Sequence, residues 1–264
     1  MSINRLVITP EQIQGDLINL DPHQLHYLLR VLRLENNDRF IALDGLGNSW
    51  IAEIADRSAK IIESIDIETE LSISLSLITA LPKGSGYEQV VRCCTELGVN
   101  NFIPVLSDRT ILKPSHNKVQ RWRKIVTEAA EQSERTIVPT VFEPVKFAAA
   151  IDNNEIIGRN KYSSVQADDS SRLKNRAQTT PVRENLDKYI CIARGDIPRL
   201  WDCLRDRESS SIAIATGCEG GWTDREIEKA IASGFKPVSL GSRILRAVTA
   251  PIAVSSLVST IDDR

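Results

Sequence analysis

The chain has 264 residues, of which 42% are hydrophobic and 26% are charged, so a sizeable core can form and wholesale disorder is excluded. Its formal net charge of −2 excludes an overall basic field, and any contact with nucleic acid must come from local patches. No apolar run approaches the ~20 residues of a membrane span, no secretory leader is evident, and the five cysteines lack the paired spacing of a metal site. We therefore expect a reduced, cytoplasmic protein with no metal and no membrane segment.

Residues 1–70 have the pattern of a small β-rich domain with one short helix. Asp21 is a good N-cap and Pro22 suits the first helical position, so the helix is expected to begin there. Arg30 and Arg33 are expected on one face of this helix. They are either solvated surface residues or contacts to RNA, and the pattern leaves both interpretations open.

Strand and helix patterns then alternate along the chain. Segments 39–45 and 48–54 flank an Asp-Gly turn and predict a β-hairpin. Segment 71–78 alternates as a strand does, segment 87–97 has helical spacing, and segment 101–106 is again strand-like. Strand, helix and strand form a βαβ unit, so we expect a parallel sheet to begin at residue 71.

A basic segment follows at 109–127, which contains Trp122 but no acidic residue. Its cations could neutralise phosphates while Trp122 stacks on a base. Alternatively, the segment is a solvated helix face and Trp122 packs into the core. The basic side chains belong to Arg109, Lys113, Lys118, Arg121, Arg123 and Lys124.

The stretch 152–187 differs from the rest because it is polar, mixed in charge and has almost nothing to bury. It predicts a long surface insertion in an otherwise compact domain, where we place no catalytic residue. A role in binding a partner stays open.

The remaining elements complete an α/β pattern. Segment 211–216 predicts the central strand, and Thr223 with Glu226 has capping-box spacing at the start of the next helix. Segment 251–261 predicts an apolar helix, which must pack either on its own sheet or on a second subunit.

Two blocks, 213–221 and 238–246, each consist of an apolar run that breaks into glycine. Backbone of this kind at strand ends can approach a small ligand closely, although two ordinary βα turns would have the same spacing. The second block adds Arg243 and Arg246 beside apolar residues, which favours a ligand site.

Five ordered motifs lie along the chain: His26-x-x-x-Arg30-Val-Leu-Arg33, Glu96-Leu-Gly-Val99, Glu131-Gln-Ser133-x-Arg135, Gly217-x-Glu219-Gly-Gly221 and Ser239-Leu-Gly-x-Arg-Ile-Leu-Arg246. Together they resemble one SPOUT family, the bacterial 16S ribosomal RNA uridine-N3 methyltransferases (RsmE family). The resemblance covers nearly the whole chain apart from the insertion.

The resemblance implies a PUA-like RNA-binding β-barrel at 1–70 and a SPOUT domain at 71–264, with a parallel sheet and a deep trefoil knot. It implies S-adenosylmethionine as cofactor, a homodimer, and 16S ribosomal RNA or the small ribosomal subunit as partner. The implied cofactor-binding residues are Thr79, Ala80, Leu81, Thr216, Gly217, Glu219, Gly220, Gly221, Ser239, Leu240, Gly241, Ile244 and Leu245. The expected RNA contacts are Arg30, Arg33, Arg109, Lys113, Arg121, Arg123 and Lys124.

Methylation of uridine N3 requires either removal of its proton or stabilisation of the negative charge that develops on O2 and O4. Arginine suits the second task, and Arg246 or Arg135 is the expected catalytic cation. Glu219 and Glu96 are the candidate carboxylates for the first task, although both also suit structural roles. N3 lies on the Watson–Crick edge, so the target base must be unpaired or extruded.

Three positions depart from the family pattern. The chain has Cys218 where proline is usual, Glu134 where glycine is usual, and Val248 where glutamate is usual. Val248 and Glu134 motivate an alternative, a weakly active or inactive relative that binds RNA in ribosome assembly. A SPOUT enzyme for another RNA position is a further alternative.

Overall fold

A computed structural model describes residues 3–157, 186–205 and 207–262. The chain forms two compact units, Met1–Glu70 with Ala130–Val138, and Leu71–Ala129 with Pro139–Arg264. The predicted boundary at residue 71 puts 130–138 in the second domain, whereas Glu131 accepts a hydrogen bond from the Val7 amide at 2.6 Å, which ties this segment to the first unit. Most of the predicted insertion, residues 158–185, lies outside the described residues.

The first unit contains a six-stranded mixed sheet in the order β1-β4-β5-β6-β3-β2. β1 and β4 are parallel and the other neighbouring pairs are antiparallel. Hydrophobic side chains of these strands, such as Phe40 and Ile54, are fully buried and form the core of this unit. The predicted hairpin is confirmed as β4 and β5. The strands are β1 (Arg5–Val7), β2 (Ile13–Gln14), β3 (Leu17–Asn19), β4 (Arg39–Leu43), β5 (Ser49–Ala55) and β6 (Ser58–Ile65).

Helix α1 (Pro22–His26) begins as predicted, because the Asp21 side chain accepts hydrogen bonds from the amides of the next turn. A π-helical turn at Tyr27–Val31 continues it. Arg33 lies beyond that turn with φ +57°, a left-handed conformation that no helical residue adopts. The prediction that Arg30 and Arg33 share one helical face is therefore wrong.

The second unit is built on a parallel sheet in the order β10-β8-β7-β12-β11-β13, with β9 also paired to β8. Every described pairing in it is parallel, and β12 lies in the middle as predicted. The trefoil knot stays a prediction. The strands are β7 (Ser74–Ala80), β8 (Asn101–Leu106), β9 (Thr140–Val141), β10 (Val145–Lys146), β11 (Leu186–Cys191), β12 (Ser211–Thr216) and β13 (Lys236–Val238).

Helices flank this sheet. The predicted capping box is present at α7, where Thr223 and Glu226 exchange side-chain and backbone hydrogen bonds. Trp122 on α3 is fully buried and packs edge-on against Tyr87 at 4.5 Å between ring centroids, so the base-stacking interpretation is wrong. The helices are α2 (Gly86–Glu96), α3 (His116–Gln132), α4 (Phe147–Ile151), α5 (Asn154–Ile157), α6 (Leu200–Arg205), α7 (Asp224–Ala232) and α8 (Thr249–Asp262).

The last helix, α8, packs on the strands of its own sheet. Val254 and Val258 are buried against β7, β12 and the neighbouring helices. Ile252 and Leu257, on other parts of its surface, are only half-buried. Within the described residues, no helix combines the length and hydrophobicity that a bilayer span requires.

Candidate active site

A cavity of about 990 Å³ opens in the second unit at the carboxyl ends of several parallel strands. Its walls are the segments 191–194, 217–222 and 240–248, which follow β11, β12 and β13, together with Arg109 beyond β8. Ligands of open α/β sheets bind at this edge, and small-molecule pockets commonly measure roughly 300–1,000 Å³. The cavity is therefore large enough for a nucleoside-sized ligand.

Glycines shape the wall of this cavity. Gly221 and Gly241 have φ of +66° and +112°, and a Cβ at either position would meet no protein atom within 4 Å. Their backbone is thus left open to a ligand, as a cradle for a nucleoside requires. Trp222 is 7% exposed and stacks on Phe147 with ring centroids 4.3 Å apart. This contact anchors the preceding glycine-rich segment, 217–221, to the core.

The structure divides the predicted cofactor-binding residues into two groups. Ser239, Thr79 and Thr216 do not line the cavity; the two threonines are fully buried at the ends of β7 and β12, with their hydroxyls 3.4 Å apart. Ala80 and Leu81 are buried in the same way. The predicted residues that line the cavity are Gly217, Glu219, Gly220, Gly221, Leu240, Gly241, Ile244 and Leu245.

Besides Arg109, the arginines Arg194, Arg243 and Arg246 line the cavity and are exposed. None of them forms an ion pair within the described part of the chain. The predicted catalytic cation Arg246 is thus present at the cavity and forms no ion pair in the described part of the chain. Arg194 was missed by the sequence analysis, although its place directly after an apolar strand was a usable signal.

Glu219 lines the cavity, and its carboxylate has a structural contact. Its Oε1 accepts a hydrogen bond from the backbone N–H of Lys83 at 3.0 Å. Lys118 Nζ donates to the carbonyl of Gly84 in the same loop at 2.8 Å. Glu96, the other candidate carboxylate, is exposed on α2 and does not line the cavity.

Arg135 belongs to the first unit, where it is buried and paired. Its side chain is 3% exposed, and its Nη2 lies 2.6 Å from a carboxylate oxygen of Glu70. The same carboxylate accepts the N–H of Ile137 at 3.0 Å. This environment matches the structural interpretation of the motif more closely than the catalytic one.

The predicted RNA contacts lie in both units. Arg30, Arg33 and Lys113 are exposed. The cations Arg121, Arg123 and Lys124 form ion pairs with Glu88, Glu143 and Glu128, respectively. Arg109 has a different environment from the one expected, because its Nη1 donates to the carbonyls of Gly220 and Trp222 at the cavity wall.

The structure shows the surroundings of all three residues that depart from the family pattern. Glu134 has φ +64°, a conformation that favours glycine, and its carboxylate pairs with Arg5 at 2.7 Å. Val248 lies at the cavity, and its Cγ2 would be 2.9 Å from a Cβ placed on Gly86. Cys218 is 7% exposed, with its Sγ 3.7 Å from the Ser107 hydroxyl.

Cys191 is another lining residue, and burial raises the pKa of its thiol to about 12. The thiol therefore stays protonated near neutral pH. Among the described residues, no group of three or more His, Cys, Asp or Glu side chains is placed to hold a metal ion.

Comparisons with known proteins decide the family. A family model of the RNA methyltransferase domain matches residues 69–259, and one of the RNA methyltransferase PUA domain matches residues 20–66. The chain is 43% identical to ribosomal RNA small subunit methyltransferase E of Synechocystis, over 97% of this chain and 77% of that relative. The chain belongs to the ribosomal RNA small subunit methyltransferase E family.

Other members of the methyltransferase E family agree along the whole length. The Bacillus subtilis protein is 28% identical, with 96% of this chain and 93% of the relative covered. A crystal structure of the Neisseria gonorrhoeae enzyme bound to S-adenosyl methionine is 27% identical, has a TM-score of 0.78 and covers 98% of both chains. The family resemblance and the α/β fold class with an N-terminal PUA domain are confirmed.

Proposed function

We propose that this protein transfers a methyl group from S-adenosylmethionine to N3 of a uridine in 16S ribosomal RNA. The observation that carries the proposal is the glycine-walled cavity at the carboxyl ends of parallel strands, in a chain of the methyltransferase E family. The alternative of an RNA-binding protein without activity is not favoured, because this cavity and its uncompensated arginines are retained.

The residues of the cavity fit the cofactor. Leu240, Ile244 and Leu245 offer apolar surface, while the backbone at Gly221 and Gly241 is open for close contact. These residues would hold the adenosine portion, and the bound cofactor supplies an electrophilic methyl group. Because methyl transfer needs no protein nucleophile, the contribution of the chain is to align the reacting atoms.

We assign Arg246 to binding the uracil base that receives the methyl group. Its permanently charged guanidinium donates hydrogen bonds in a plane and stabilises the negative charge that develops on the uracil oxygens. It forms no ion pair among the described residues, although Glu219 and Asp224 line the same cavity, so its guanidinium is free to bond to the base. We assign Glu219 to holding the Lys83 backbone and Arg135 to the ion pair with Glu70.

The RNA is expected to meet exposed cations of both units. Arg30 and Arg33 provide them in the first unit, and Lys113 in the second. A homodimer is proposed on the apolar surface of α8, where half-buried Ile252 and Leu257 are available to a second copy.

The experiment uses the purified full-length chain, S-adenosylmethionine carrying a labelled methyl group, and small ribosomal subunits from a strain without this modification. Digestion of the RNA and mass spectrometry of its nucleosides should give labelled N3-methyluridine at one position. Label in another nucleoside would overturn the uridine-N3 assignment. Absence of label, with S-adenosylhomocysteine not bound in calorimetry, would overturn the proposed enzyme activity.

A further inference from the structure

The strongest unexplained contact at the cavity is made by Arg109, which follows β8. Its Nη1 donates to the carbonyl of Gly220 at 2.6 Å and to that of Trp222 at 3.1 Å. The two carbonyls flank Gly221, the residue with the left-handed backbone. One guanidinium nitrogen therefore fixes the part of the wall whose backbone is open to the ligand.

The aliphatic part of Arg109 also shapes this wall. A Cβ on Gly220 would lie 3.1 Å from both Cβ and Cδ of Arg109, closer than ordinary contacts. The methylene groups thus pack directly on the glycine backbone, and the guanidinium bonds hold it from the side. The remaining guanidinium nitrogens form no ion pair within the described residues.

The turn that carries Arg109 is itself hydrogen-bonded to the start of α7, which follows the glycine-rich segment 217–221. The Asp108 N–H donates to Glu226 at 2.9 Å, and the Thr223 hydroxyl donates to Asp108 at 3.1 Å. Glu226 is 7% exposed and also accepts the N–H of Thr223. The capping box of α7 therefore anchors the Arg109 turn, so Arg109 has a rigid base from which to hold the wall.

We infer that Arg109 is a positioning residue for the cofactor and not an RNA contact. It keeps the carbonyls of Gly220 and Trp222 turned towards itself, which leaves the backbone of Gly221 open to the ligand. This inference rests on the proposed function, because it concerns how the same cavity binds its cofactor. The lysine side chain is one atom shorter than that of arginine and lacks the planar guanidinium. Lysine at 109 should therefore keep only part of the cofactor affinity.

The test compares Arg109→Ala, Arg109→Met and Arg109→Lys with the matched control Arg121→Ala, an exposed arginine of the same basic segment. Arg109→Met keeps methylene packing against Gly220 but cannot donate a hydrogen bond. Affinity for S-adenosylhomocysteine is measured by calorimetry, affinity for a small-subunit RNA fragment by filter binding, and folding by thermal melting.

We expect Arg109→Ala and Arg109→Met to weaken S-adenosylhomocysteine binding by about tenfold or more, the loss of a charge-assisted bond pair. Arg109→Lys should be intermediate, RNA affinity should stay near wild type, and the melting temperature should fall by only a few degrees, because two backbone carbonyls lose a donor. Arg121→Ala should leave cofactor affinity unchanged. In turnover assays, KM for the cofactor should rise while KM for RNA stays constant.

The inference fails if wild type binds S-adenosylhomocysteine and Arg109→Met binds it within about twofold, since the lost bonds would then contribute little. It also fails if the Arg109 variants lose RNA affinity in place of cofactor affinity. Wild type that does not bind S-adenosylhomocysteine would instead overturn the proposed function. If Arg109→Ala does not fold, Arg109→Met and Arg109→Lys decide the question.

Discussion

Arg246 and Arg135 carry the same guanidinium group in opposite surroundings. Arg246 lines an open cavity and has no ion pair within the described residues. Arg135 is 3% exposed and pairs with Glu70, which is itself only 7% exposed. A charge that is already neutralised cannot offer its full field to a substrate, so we propose a role at the substrate for Arg246 and a structural role for Arg135.

The largest effect is expected from a substitution that breaks the buried ion pair between Arg135 and Glu70. Arg135→Ala leaves the Glu70 carboxylate buried without its cation, which should lower the free energy of unfolding by about 3–5 kcal/mol. Turnover per folded molecule should stay within a few-fold of wild type. Urea denaturation measures the first quantity and active-site titration the second.

A matched control for Arg135 is Arg5→Ala, since its partner Glu134 is half exposed and lies in the same segment. Exposed pairs contribute about 0–1 kcal/mol, so this variant should be much less affected. If Arg135→Ala is as stable as Arg5→Ala but inactive, Arg135 is catalytic and the contrast drawn between the arginines is wrong.

The next largest effect is expected from a substitution that removes the charge of Arg246. Arg246→Ala should lower turnover by about 100- to 1,000-fold, the usual cost of one preorganised donor to a developing oxyanion. The unfolding midpoint should not change, because Arg246 is exposed and unpaired in the described structure. Single-turnover assays with saturating cofactor measure this.

Arg243→Ala is the control for Arg246, because Arg243 lines the same cavity and is also exposed. It should retain more activity than Arg246→Ala. Equal losses in the two variants would mean that the cavity uses a diffuse positive field, with no single arginine on the base.

A smaller effect concerns a buried group that is kept neutral. Burial raises the pKa of Cys94 from 9.0 to about 12. Between these values the unfolded thiol has lost its proton and the folded thiol has not, so stability present below pH 9 is lost as the pH rises. At pH 10 the loss should be about 1.4 kcal/mol for this one group.

Urea denaturation at pH 8 and pH 10 tests this, with wild type compared with Cys94→Ala. Each protein is its own reference, so the cavity left by alanine does not enter the comparison. The alkaline loss should be smaller in Cys94→Ala. An identical pH dependence in both proteins would contradict the raised pKa.

The smallest effect is expected at Glu219. Glu219→Gln keeps an oxygen that accepts the Lys83 N–H, so turnover should stay within about threefold of wild type. Glu219→Ala loses the bond and should be slower than Glu219→Gln. A loss of more than about 100-fold in Glu219→Gln would identify the carboxylate as the general base, because only proton transfer distinguishes the two side chains so strongly.

Signals within a few residues predicted the local structure well. Thr223 and Glu226 are one helical turn apart, and their spacing alone predicted the capping box that the structure shows. The glycine spacing of 217–221 likewise predicted a wall of the cavity. In both cases the residues concerned are close in sequence, so a local sequence pattern can predict their arrangement.

Partners distant in sequence could not be predicted. Arg109 bonds to carbonyls 111 and 113 positions away, and Arg135 pairs with a glutamate 65 positions away. From the sequence alone, Arg109 is grouped with the other cations of the basic segment, because no local pattern shows which atoms the end of a long side chain contacts. Thr79 and Thr216 similarly lie at positions that the family resemblance implies for the cofactor, but they are fully buried with their hydroxyls 3.4 Å apart.

The contact between Val248 and Gly86 has an evolutionary consequence. A Cβ on residue 86 would come within 2.9 Å of the valine methyl, so a side chain at 86 requires a smaller or displaced side chain at 248. Gly86 is also the first residue of α2, where a carboxylate is favoured by the exposed amides. Restoring the family glutamate at 248 should therefore be tolerated only while glycine is kept at 86, a case of epistasis set by one interatomic distance.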